Sequence, residues 1–148
     1  MMGKRETKQK RRVHKDEMPK SGGSVLVVDN DKDMCRVISD VLKHAGIKVN
    51  IAYDGESALA KDKKRTFDLM LLDYKLPGIS GITVLEKTHQ IRPNLKTIMI
   101  SAFGDDSTRA RAKELGAYAF LDKPFNIEGL VRVVKKALNG NGKKGGIG

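Results

Sequence analysis

The sequence predicts an α/β fold, a five-stranded parallel sheet doubly wound with helices on both faces. Three observations predict it. Strand-like apolar runs and helix-periodic runs alternate five times, the pattern of successive strand–helix units. The run Leu69-Met70-Leu71-Leu72 is apolar throughout, as a central strand covered on both faces requires. The apolar runs also end on polar residues, Asp29, Asp73, Ser101 and Asp122-Lys123, and strand ends are where an open α/β sheet carries its chemistry.

Val25 to Val28 reads as the first strand and runs into Asp29-Asn30-Asp31. Met34, Val37, Ile38, Val41, Leu42 and Ala45 then recur at helical spacing, with Gly46 as the stop. Ile47 to Ala52 is a short second strand, and Asp54 caps a helix reaching about Arg65. Phe67 to Asp73 is the third strand; after the loop ending at Pro77-Gly78, a helix turns Val84, Leu85, Thr88 and Ile91 inward before Pro93 closes it. Lys96 to Ser101 is the fourth strand, and Gly104 to Leu115 the fourth helix, stopped by Gly116. Tyr118 to Leu121 is the fifth strand; Asn126 caps a last helix carrying Ile127, Leu130, Val131, Val134 and Leu138 on one face.

The bulk properties exclude several classes of protein. With 148 residues, the chain holds one domain with tails and no second folded domain. Its single cysteine, Cys35, excludes an internal disulfide framework and falls on the apolar face of the first helix, so the composition is cytosolic. Apolar runs stay far below the roughly 20 residues of a membrane span, and the basic start lacks the apolar stretch of a signal peptide. A cytoplasmic location follows as the expectation. His14, His44 and His89 are scattered without ligand spacing and read as solvated or packed side chains.

The net charge of +11 is concentrated at the start. Residues 1–22 hold eight Lys/Arg against Glu6, Asp16 and Glu17 and form a basic leader expected to be disordered. It reads as a solvated tail, or as a weak contact for nucleic acid or an acidic partner; no aromatic residue interleaves it to read bases. Residues 139–148, rich in Gly and Lys, are expected to be a flexible tail.

A carboxylate nucleophile, an acidic pocket, a hydroxyl donor and an ammonium are the parts a phosphoryl transfer needs. The acid cluster Asp29-Asn30-Asp31, the isolated Asp73, Ser101 and Lys123-Pro124, in that order and spacing, resemble the receiver domain of two-component response regulators, the CheY-like superfamily. The chain also resembles single-domain phosphorelay receivers, and the domain is expected over residues 23–138. The resemblance, with right-handed crossovers, implies a flavodoxin-like strand order of 2-1-3-4-5. It implies a phosphoacceptor switch and not an enzyme, apart from self-phosphorylation by small donors and slow autodephosphorylation.

By this resemblance Asp73 takes a phosphoryl group from a histidine kinase or histidine phosphotransfer protein, with Mg²⁺ as cofactor. The implied metal ligands are Asp29, Asn30, Asp73 and the backbone carbonyl of Lys75. Asn30 departs from the family, which has a second acid there, so weaker metal binding is expected; Asp31 either compensates through water or caps the first helix. Lys123 is implied to approach the phosphoryl oxygens, aimed by a cis bond to Pro124. Ser101 is implied to bond the new phosphoryl group, and Phe120 to be the aromatic switch, although by itself it reads equally as a core residue.

The output surface implied is the fourth helix, fifth strand and fifth helix, on a monomer or a phosphorylation-dependent dimer. Lys75 and Phe103 are expected to crowd the path of attacking water and lengthen the phosphoryl lifetime. Two rivals stand beside the stand-alone receiver. One is an N-terminal receiver of a DNA-binding transcriptional regulator. The other is a phosphatase of the haloacid dehalogenase type, which needs a second Asp where this chain has Lys75.

Overall fold

Five strands pair in parallel: β1 (Ser24–Val28), β2 (Lys48–Ala52), β3 (Leu69–Asp73), β4 (Lys96–Ser101) and β5 (Ala119–Asp122). Their order is β2-β1-β3-β4-β5, as expected. The computed structural model describes residues 22–102 and 104–139. Phe103, His14, nearly all of the basic leader and nearly all of the tail therefore lie outside the described residues.

Strand periodicity decides which helix covers which face. Val25, Val27, Leu69, Leu71, Ile98 and Ile100 point to one side, where helices α1 (Lys32–His44) and α5 (Ile127–Asn139) bury Cys35, Ile38, Leu42, Leu130 and Val134. Leu26, Val28, Met70, Leu72 and Met99 point to the other. There α2 (Gly55–Lys64), α3 (Gly81–Ile91) and α4 (Asp106–Glu114) bring Ala58, Val84, Leu85 and Ala112. Every residue of β3 is buried, the central position that its unbroken apolar run predicts.

Each helix starts on the rim where the preceding strand ends, and a side-chain cap fixes each start. Asp31 accepts from Met34 N at 3.1 Å, Asp54 from Ser57 N at 2.7 Å, and Ser80 from Thr83 N at 3.2 Å. Asp105 accepts from Thr108 N at 2.8 Å, and Asn126 from Gly129 N at 2.6 Å. The cap at Asp105 starts α4 two residues later than Gly104.

Three apolar residues expected on buried faces, Val37, Ala45 and Ile91, are exposed. Val37 is 45 % exposed because Cys35, Ile38 and Leu42 are the α1 residues that meet the sheet, and position 37 points away from that stripe. Ile91 is 60 % exposed because it is the last residue of α3, one turn beyond the buried Thr88. His44 is exposed, whereas His89 packs so closely on Gly116 that a Cβ there would run into the imidazole. Cys35 is a packing residue: burial first, then the nearby Asp29 and Asp31 carboxylates, pushes its thiol up to about 12. Among the described residues no helix is long and apolar enough to cross a membrane.

Candidate functional site

The chain leaves β1 toward β2 on one side and returns to β3 on the other, so the carboxyl ends of β1 and β3 part. Such a reversal opens a crevice in any doubly wound sheet. Here it is a cleft of about 480 Å³, with Asp29, Asn30 and Asp31 on one wall, Asp73, Lys75, Leu76 and Pro77 on another, and Ala102 and Lys123 closing it. Residues from four strand ends, up to 94 positions apart, thereby meet.

At the centre, Lys123 Nζ lies 3.2 Å from Asp29 Oδ2 and 3.5 Å from Asp73 Oδ2. Asp29 and Asp73 are only 4 % and 6 % exposed. Asp29 is held from behind: its backbone N–H donates to Ala52 O, its carbonyl accepts from Cys35 Sγ, and its Oδ1 accepts from Asp31 N. Burial, and then the Asp29 carboxylate, push Asp73 up to about 6 against the pull of Lys123. Burial alone would lower the lysine, but Asp73 and Asp29 outweigh it and hold its pKa above the ordinary value.

Two carboxylates facing one ammonium leave an excess of negative charge, and the donors are hard oxygens. This set fits a hard divalent cation completed by water, which prefers a few carboxylate oxygens. Asp31 uses its Oδ1 to cap α1.

The structure thus brings Asp29, Asn30, Asp73, Lys75 and Lys123 to one cleft. Ser101 stands at the adjoining end of β4, is 1 % exposed, and is tied to Lys123, whose backbone N–H donates to Ser101 O at 2.8 Å. The cleft surface there is Ala102 instead. The Lys123–Pro124 bond is cis. Phe120 sits on β5, partly buried against the α2–α4 side of the core. Sequence reasoning missed Gly81, which seats α3 directly on the backbone of Asp73 and Tyr74; a glycine shortly after a strand-end loop was the available signal.

A doubly wound sheet with an acid–lysine cleft at its switch point has the architecture of a receiver. The chain belongs to the response regulator receiver domain family, whose sequence profile matches residues 25–135. The transcriptional regulatory protein ZraR of Salmonella typhimurium is 32 % identical over 114 residues, which cover 77 % of this chain and 26 % of that protein. The chain therefore spans about a quarter of that relative. Sporulation initiation phosphotransferase F of Bacillus subtilis is 34 % identical over 114 residues, covering 77 % of this chain and 92 % of that one. The crystal structure of a CheY-like receiver domain protein from Methanospirillum hungatei superimposes with a TM-score of 0.77 at 32 % identity, covering 80 % and 94 % of the two chains. Members of this family are phosphoacceptor switches of two-component systems, typically bind Mg²⁺, and work with histidine kinases or phosphotransfer proteins.

Proposed function

We propose that this chain is a phosphoacceptor switch whose acceptor is Asp73, supplied by a histidine kinase or a histidine phosphotransfer protein. The observation that carries this reading is the Lys123 ammonium bridging two buried carboxylates inside an open cleft. One oxygen of Asp73 attacks phosphorus while the N–P bond of the phosphohistidine breaks; the imidazole leaves with the electron pair and takes up a proton. Lys123, paired with Asp73 beforehand, turns to the phosphoryl oxygens as a point charge. Ser101 donates its hydroxyl to the same group, and the chain after β4 follows it. When bound, Mg²⁺ supplies charge neutralisation for the phosphoryl oxygens; Asp29, Asn30, Asp73 and the Lys75 carbonyl would hold it.

Onward relay or protein contact through α4, β5 and α5 is supported by the likeness to a phosphotransferase matched over 92 % of its length. The second reading, a receiver joined to a DNA-binding output, is supported by ZraR, of which this chain matches 26 %. Continuing the reading frame past Gly148 distinguishes them. The haloacid dehalogenase alternative falls with the family assignment. A cytoplasmic setting is supported by the lone, buried, unreactive Cys35.

Incubation with acetyl phosphate and Mg²⁺ should add one phosphoryl group, about 80 Da, to the intact protein. A mass unchanged after incubation, with and without the ion, would overturn the reading.

Asn30→Asp should tighten Mg²⁺ binding, by up to about tenfold, since it restores a carboxylate at a largely electrostatic site. Isothermal titration measures this; equal affinities would show that Asp29 and Asp73 already supply all the charge the ion senses.

Lys75 lines the cleft, and Phe103 lies outside the described residues. If both long side chains bar water from the line behind phosphorus, Lys75→Asn with Phe103→Ala should speed spontaneous dephosphorylation about tenfold. An unchanged decay of the phosphorylated form refutes that gate.

A further inference from the structure

On the α4–β5 edge, one arginine grips two residues of β5. The Arg109 guanidinium lies over the Phe120 ring, 4.7 Å from its centroid, and donates through Nη2 to Asp122 Oδ2. Gly104, just ahead of α4, is seated against the same two side chains. A Cβ added to Gly104 would collide with Asp122 Oδ1 and come within 2.8 Å of Phe120 Cε1. Asp122 is also the backbone neighbour of Lys123 and pairs in register with Ser101. Arg109, Gly104 and the end of β5 are thus one contact group, joined to Ser101 by strand pairing and to Lys123 through the backbone.

We propose that Arg109 is a latch that holds Phe120 and Asp122 against Gly104 in the arrangement seen here, and so sets how readily the site switches. The inference rests on the phosphoacceptor reading. Movement of Ser101 toward a phosphoryl group slides it along its register partner Asp122, against which Gly104 also stands. The Arg109 contacts resist that slide. They are partly exposed, and such contacts are individually weak, so they bias the equilibrium without locking it. A guanidinium suits the task because its plane stacks on the ring while its edge donates to the carboxylate; an ammonium does one or the other.

The test uses the full chain labelled with fluorophenylalanine, the Phe120 fluorine line being assigned with Phe120→Leu. Arg109→Ala removes the latch, and Gly104→Ala wedges Phe120 and Asp122 off the loop without touching Arg109. Both should move or split the Phe120 line in the unphosphorylated protein. Both should also accept phosphate from acetyl phosphate with Mg²⁺ about fivefold to tenfold faster, the bias expected from one exposed ion pair and one cation–π contact. Arg109→Lys should fall between. A Phe120 line unmoved in Arg109→Ala, or a moved line with an unchanged labelling rate, overturns the latch. Absence of labelling in the native protein and all variants overturns the phosphoacceptor reading itself, a distinct outcome.

Discussion

Asp73→Asn should take up no phosphoryl group from acetyl phosphate and, without divalent ions, should melt well above the native chain at pH 8. Both effects follow from one buried carboxylate. The amide has no anionic oxygen to attack phosphorus, so intact-mass labelling should vanish; labelling at the native rate would move the acceptor elsewhere. The stability gain follows from the carboxyl's raised pKa, from an ordinary 3.8 to about 6, caused by burial and then by Asp29. A carboxyl raised on folding binds its proton more readily in the folded state than in the unfolded one. Between about pH 4 and pH 6 stability therefore falls as pH rises, and above that window the full penalty of holding the charge applies. Two pKa units correspond to about 3 kcal/mol, a net figure in which the pull of Lys123 is already counted, so the asparagine gains about 3 kcal/mol. In a domain of this size that raises the melting temperature by roughly 9–15 °C. The two proteins should converge near pH 4, where Asp73 is protonated in the native fold as well. A difference in melting temperature independent of pH would assign the gain to packing and not to charge.

Gly81→Ala should be the most damaging single methyl in the chain. A Cβ at this position would collide with the carbonyl oxygen of Asp73 and stand 2.8 Å from Tyr74 Cα, while the Gly81 N–H donates to Tyr74 O at 2.9 Å. These neighbours are backbone and cannot rotate aside, so α3 must back away from the strand end that carries Asp73. Overpacking of this kind costs about 2–3 kcal/mol, more than the helix propensity alanine gains near a helix start. Both the melting temperature, by roughly 10 °C, and the acetyl phosphate labelling rate should fall. Gly46→Ala is the contrast. It has open space for the methyl but a φ of +86°, so it should cost about 1 kcal/mol through backbone strain and leave labelling at the native rate. Native-like labelling by Gly81→Ala would show that the loop after β3 absorbs the displacement without moving Asp73.

Much of the fold is legible in the sequence. Strand and helix periods, the caps at Asp31, Asp54 and Asn126, and the stops at Gly46 and Gly116 are local signals, carried by residues a few positions apart. The order of the strands and the gathering of Asp29, Asn30, Asp73, Lys75 and Lys123 were legible as well. In a doubly wound sheet every strand delivers its last residue to the same rim. Periodicity overstates the burial of Val37, Ala45 and Ile91, because it marks an apolar stripe but not how much of it the sheet is wide enough to cover.

What the sequence by itself determined, then, is the kind of residue at each strand end and the sheet that collects them. Only the tertiary structure decided that Ser101 stands buried beside the cleft while Ala102 forms its surface, that Gly81 bears on the Asp73 carbonyl, and that Arg109 reaches both Phe120 and Asp122. Those contacts depend on how far each helix slides and rotates against the sheet. Close packing of many side chains settles that at once, and no pattern confined to one segment encodes it.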